Sequence, residues 1–190
     1  VKEADVIDFS FSRTKIEDVY TKVIFKYNWD YARGEFNDSV ESDVLILGDD
    51  YNFDYYGLPN DHSESTLTID GEQGKYIRTE ETARNFADWF LLWSCNQKLE
   101  MKVRLPLKYM NLEIGDLVKF DDLLGGIKPY GIDYVNNDES NWLINGQQYY
   151  RNFLIVSTNK TLDFVEIVCT QMHDLVGDCA TDDLDCAGVC

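Results

Sequence analysis

Val19-Tyr20-Thr21-Lys22-Val23-Ile24-Phe25-Lys26-Tyr27-Asn28-Trp29 alternates with period two over eleven residues. Val19, Thr21, Val23, Phe25, Tyr27 and Trp29 share one face, and Tyr20, Lys22, Ile24, Lys26 and Asn28 share the other. Successive side chains of a strand point to opposite faces, and β-branched and aromatic residues suit that pleated surface. The stretch therefore predicts a half-buried strand, and it anchors the reading of the chain.

Upstream, Ala4–Ser12 alternates in the same way, with Ile7, Phe9 and Phe11 on one side, and predicts a first strand. Downstream the period changes. Thr79 stands at an N-cap position with Glu80 and Glu81 in the following turn, where the helix dipole favours acids. Ala83, Phe86, Ala87, Phe90 and Ser94 follow at helical spacing, with Trp89 and Trp93 widening the stripe, so a buried helix is predicted over about 79–95. Past Asn96 the period returns to two: Met101, Val103 and Leu105 oppose Glu100, Lys102 and Arg104, and Pro106 ends the run. Leu117–Phe120 predicts a strand entered through the turn Ile114-Gly115-Asp116. Phe153–Ser157 and Phe164–Thr170 predict a hairpin turning at Thr158-Asn159-Lys160-Thr161. The sum is an α+β, mainly antiparallel β domain, barrel-like or sandwich, with one helix.

The charge is unevenly placed. The 190 residues carry 17 Lys and Arg against 35 Asp and Glu, a net −18. Ten of the acids, and no Lys or Arg, fall between Asn37 and Glu72; seven more, again without a cation, fall between Thr161 and Cys190. Everything else nets −1. The sequence thus reads as a near-neutral body over 1–174 with an acidic insertion at about 37–74, followed by a Cys/Asp-rich tail over 175–190. A strand at Val44–Leu47 and another at Ser65–Ile69 are expected inside the insertion.

This balance excludes nucleic-acid binding, which needs a basic stripe to neutralise phosphates, and adsorption to an anionic membrane surface. No apolar run nears the roughly 20 residues that span a bilayer. Val1-Lys2-Glu3 carries neither an initiator Met nor a signal peptide, so the expectation is a processed chain or a piece of a longer one.

The chain offers few catalytic patterns. His62 and His173 share no triad or ligand spacing, and His173 reads as a strand-end residue. Gly125-Gly126 lacks the lysine and the strand–turn–helix context of a phosphate cradle. Asp50-x-Asn52-x-Asp54 starts like a calcium loop, but Tyr55 replaces the glycine and Asp61 the final glutamate. Tyr51, Phe53, Tyr55 and Tyr56 around it fit either a contact loop or a cover for the domain's own sheet.

Cys95 and Cys169 sit in apolar patterns and read as buried free thiols. Cys179, Cys186 and Cys190 are spaced wrongly for a zinc ribbon. Disulfides in an extracellular setting are expected of them, with Asp178, Asp182, Asp183 and Asp185 as calcium ligands. The alternative is a disordered acidic tail with reduced thiols.

Two resemblances add to this. Asp185-Cys186-Ala187-Gly188-Val189-Cys190 resembles the Asp-Cys-x-Gly-Val-Cys unit of extracellular Cys/Asp repeats in large surface and virion proteins. Thr82–Phe90, then Lys102–Leu107, then Leu112-Glu113-Ile114-Gly115-Asp116-Leu117-Val118 is similar in order to the hub and tail-tip proteins of tailed bacteriophages. That resemblance implies a structural, non-enzymatic tail component in the virion. It also implies a homo-oligomer, a trimer by family expectation, in contact with other tail and baseplate proteins. A secreted or surface calcium-dependent glycan-binding β module is the rival reading, with exposed aromatics stacking on sugar rings.

Overall fold

A computed structural model describes residues 1–42, 53–59, 61–120, 128–131, 143–144 and 147–173. In chain order the strands are β1 (Asp8–Arg13), β2 (Lys22–Asp30), β3 (Glu35–Glu41), β4 (Thr66–Ile69), β5 (Leu99–Leu105), β6 (Leu117–Lys119), β7 (Leu143–Ile144), β8 (Gln147–Lys160) and β9 (Val165–His173). The α-helices are α1 (Phe53–Tyr56), α2 (Glu72–Lys75) and α3 (Glu80–Ser94). The fold is α+β with mostly antiparallel pairing, and among the described residues neither sheet closes into the barrel that was one expectation. The strand expected at Val44–Leu47, the Gly125-Gly126 pair and the whole Cys/Asp tail lie outside the described residues.

The chain divides into two compact units, Val1–Asp18 with Gln97–His173, and Val19–Asn96. The first is a six-stranded sheet in the order β1-β5-β9-β8-β6, with β7 pairing the start of β8. Alternation decides its core. Leu99, Met101, Val103 and Leu105 of β5 meet Val165, Ile167 and Cys169 of β9 and Tyr149, Phe153 and Ile155 of β8, all buried. On the opposite face Glu166 receives Lys102 Nζ at 2.9 Å and Arg104 Nε at 2.9 Å.

The Gly-Asp turn behaves as its residues predict. Gly115 takes φ +96° and donates its N–H to Ile155 O, while Asp116 Oδ2 accepts the Glu113 N–H at 2.9 Å. The last hairpin turns later than predicted. β8 continues through Lys160, and the loop is Thr161–Phe164, not 158–161. Thr161 Oγ1 accepts the N–H groups of Asp163 and Phe164, so its hydroxyl holds the turn, whereas Thr158 and Asn159 pair with Ile167 and Glu166. The first strand also starts later, at Asp8, because Glu3–Asp5 form a 3₁₀ turn.

The second unit is a three-stranded sheet, β3-β2-β4, with β4 parallel to β2. The strand starts later than read, at Lys22, but the alternation holds from Val19 onward: Val19, Thr21, Val23, Phe25 and Tyr27 are all buried, and Trp29 is half-buried. Strand β3 was not predicted. Its Glu-Phe-Asn-Asp-Ser-Val-Glu sequence offers only Phe36 and Val40 as apolar positions, and pairing with β2 rather than its own pattern makes it a strand. The acidic stretch therefore supplies two of the sheet's three strands instead of looping away from it.

Helix α3 packs on this sheet along Ala83, Ala87 and Leu91. Small residues there let the helix approach closely, and Phe86 leans on Phe25 with ring centroids 4.7 Å apart. The buried line is rotated from the predicted one: Leu91 and Leu92 are inside, Phe86, Phe90 and Ser94 are half-buried, and Trp89 is 46% exposed. Thr79 is the N-cap by backbone geometry, but its hydroxyl bonds Thr82 Oγ1 and caps no N–H. Below the sheet edge, Gly74 of α2 lies so close to β2 that a Cβ would stand 1.9 Å from Lys26 O.

Candidate interaction surfaces

One flank of α3 is aromatic because its residues at i, i+3, i+4 and i+7 are Phe86, Trp89, Phe90 and Trp93; Phe86 and Phe90 pack against the core, and Trp89 is the exposed one of the four. The two indoles stack at 6.2 Å with an 18° interplanar angle, and Trp89 also packs against Phe86 at 6.0 Å and Phe90 at 6.2 Å. Large aromatics at a solvent-facing helix surface supply contact area with few rotamers to freeze, which suits association.

A second surface lies at the β2–β3 hairpin. Asn28 takes φ +59°, a conformation asparagine tolerates, and is held there from both sides. Its Nδ2 donates to Asp38 Oδ2 at 2.7 Å, and Arg78 Nη1 donates to Asn28 Oδ1 at 3.0 Å and to Trp29 O at 2.7 Å. Trp29 and Phe36 meet edge to face at 4.8 Å. Lys75 Nζ sits 4.7 Å above the Trp29 ring. Beside them is a depression of about 500 Å³ lined by Lys26, Trp29, Asp70 and the run Glu35-Phe36-Asn37-Asp38-Ser39.

The predicted tyrosine loop divides. Tyr56 gives its hydroxyl to Asn96 Oδ1 at 2.8 Å and so covers its own unit, while Tyr55, 54% exposed, packs edge-on against it at 4.7 Å and faces solvent. Phe53 opens α1; Tyr51, Asp50 and Asn52 lie outside the described residues. So do Asp178, Asp182, Asp183, Asp185, Cys179, Cys186 and Cys190. Among the described residues no group of three or more His, Cys, Asp or Glu side chains could hold a metal ion.

Other polar groups serve the fold. His62, at φ +60°, is hydrogen-bonded through Nδ1 to Thr21 Oγ1 at 2.8 Å, and that hydroxyl also meets Ser65 Oγ, which is fully buried. The trio fastens the loop before β4 to the start of β2. His173 is buried at the end of β9 and stacks on Tyr149 at 5.1 Å. Burial pushes the Cys169 thiol up to about 12, so it is inert at neutral pH. Lys102 and then Arg104 hold the Glu166 carboxyl below the usual carboxylate range, and Lys108 and then Tyr109 do the same for Asp5.

The class these features define is an open-sheet α+β chain of two units, one of them presenting aromatic and acidic surfaces. No family model matches the chain, and no curated protein matches it. A chain in the virion of the native gene transfer agent (GTA) particle shares its fold, with TM-score 0.53 and 12% identity over 90% of this chain and 31% of that one. Prophage tail protein gp18 from Listeria monocytogenes EGD-e aligns at TM-score 0.38 and 16% identity, over 90% and 42% of the two chains. The 43 kDa tail protein of prophage MuSo2 from Shewanella oneidensis aligns at 0.37 and 16%, over 88% and 41%. The chain spans about a third of the length of the GTA chain it matches.

Proposed function

We propose that this chain is a structural, non-enzymatic component of a phage-like tail in the virion, a hub or tail-tip domain that assembles into a ring and contacts other tail proteins. The observation that carries the reading is the shared fold over 90% of the chain with a protein of the GTA virion. The order of helix, strand and Gly-Asp turn in the sequence supports it independently. In this reading the aromatic face of α3 and the outward Tyr55 are contact surfaces, and a threefold ring is the arrangement the resemblance implies.

Native mass spectrometry of the purified chain tests this. A ring is expected, and Trp89→Ser with Trp93→Ser should reduce it to monomer while leaving the circular dichroism spectrum unchanged, since Trp89 is half-exposed. A monomer that binds polysaccharide only with calcium would instead establish the glycan-binding alternative.

A further inference from the structure

The depression beside the β2–β3 hairpin spans the end of the three-stranded sheet. Lys26 and Trp29 of β2 line it, with Glu35-Phe36-Asn37-Asp38-Ser39 of β3 and Asp70, the residue after β4. Its volume of about 500 Å³ lies within the roughly 300–1,000 Å³ of small-molecule sites.

Its walls are held by residues around it. Asn28 Nδ2 orients Asp38, and Arg78 binds the Trp29 carbonyl. Lys75 sits over one face of the Trp29 ring, and Phe36 meets that ring edge to face. α2 comes so close that a Cβ on Gly74 would stand 3.1 Å from Phe36 Cε1 as well as against Lys26 O. Groups fixed in this way lose little freedom when a ligand arrives.

How the charges are already used decides what the lining can bind. Lys26 Nζ faces Asp70 Oδ2 at 3.6 Å, Glu35 Oε1 faces Arg33 Nη1 at 3.9 Å, and Asp38 Oδ2 accepts from Asn28 at 2.7 Å. A cation would meet carboxylates that already have partners, and an anion would meet three acids to one lysine. A wholly apolar ligand would desolvate six polar side chains without replacing their hydrogen bonds to water.

Hydrogen-bonding capacity, by contrast, is plentiful. A carboxylate offers about four acceptor sites and an ammonium three donors, so these pairs leave most of them open. The exposed Asn37 carboxamide and Ser39 hydroxyl make no hydrogen bond among the described residues and add both donors and acceptors. Trp29 and Phe36, both half-buried, contribute ring surface. Interleaved donors and acceptors beside aromatic rings match a ligand that has many hydroxyls, no charge and one C–H face.

We propose that this depression binds an uncharged pyranose saccharide. Trp29 and Phe36 pack against the C–H face of the sugar, and Lys26, Asn37, Asp38 and Ser39 take its hydroxyls. No metal takes part. The site lies in the second unit alone and stands independently of the ring and of α3.

The test titrates the ¹⁵N-labelled chain, in EDTA, with cellobiose, lactose and N,N′-diacetylchitobiose at millimolar concentrations. Digalacturonate serves as the anionic control and spermidine as the cationic one. At least one neutral disaccharide should shift the Trp29 indole N–H, the Asn37 side-chain amide and the β3 backbone amides. Both charged controls should bind at least tenfold more weakly. Asn37→Ala with Ser39→Ala removes two exposed groups that the fold does not use, and should weaken the sugar about tenfold, as expected for two lost hydrogen bonds. Trp89→Ser, on α3, should leave sugar binding unchanged. No shift with any of the three sugars, shifts that appear only when calcium replaces EDTA, or equal binding by either charged control would overturn the proposal. So would full affinity in the Asn37→Ala, Ser39→Ala variant.

Discussion

The two units bury apolar surface by different means. The six-stranded unit fills its interior with aliphatic side chains from three neighbouring strands and closes its other face with salt bridges such as Lys102–Glu166–Arg104. The three-stranded unit has too little sheet for that, and α3 completes it, with Ala83, Ala87 and Leu91 at the contact line, Phe86 and Phe90 packed at its margin and Trp89 turned outward. What each unit leaves exposed differs in kind: the large apolar side chains facing solvent in the first unit are mostly aliphatic, with Ile7, Ile114, Leu117 and Leu162 among them, whereas Tyr31, Tyr55, Tyr76 and Trp89 of the second are aromatic.

The sharpest way to break this contrast is to delete one core residue from each unit. Phe25→Ala and Ile167→Ala should each cost about 3–5 and about 2–5 kcal/mol respectively, since a buried side chain leaves a cavity behind. Amide hydrogen exchange should rise in β2 and α3 for the first and in β5, β8 and β9 for the second. Exchange that rises equally everywhere in both variants would erase the distinction.

A smaller effect is expected at Gly74→Ala. The added methyl cannot coexist with Lys26 O, so α2 must retreat from β2 at a cost of about 1–3 kcal/mol. Chemical denaturation measures this; a neutral result would mean that α2 does not close against the sheet.

The smallest effect belongs to the charged face of the first unit. Glu166 has a folded pKa below its unfolded one, so the stability it contributes is present above the unfolded value and is lost as pH falls through the folded value. Glu166→Gln should therefore flatten the acid limb of a stability-against-pH curve and leave the second unit's exchange rates unchanged.

Much of this was legible in the residues. The alternation at Val19–Trp29, the helix after Thr79 and the Ile114-Gly115-Asp116 turn carry strong local signals, and each stands where those signals put it. β3 was not legible, because Phe36 and Val40 are too few apolar residues to mark a strand without its partner. The inward stripe of α3 was legible in part: Ala83 and Ala87 are buried as read and Phe86 and Phe90 pack half-buried beside them, but the line continues through Leu91 and Leu92 instead of Ser94. The late turn at Thr161 rests on one hydroxyl accepting two N–H groups, a detail that residue spacing does not encode.

The central claim is that this chain is built into a tail particle. Quantitative mass spectrometry of gradient-purified particles from the cells that make it tests that claim most directly. The account predicts that the chain co-sediments with the other tail proteins at a fixed, small integer copy number per particle. Its absence from the particles, with the protein recovered wholly in the unassembled fraction, would contradict it.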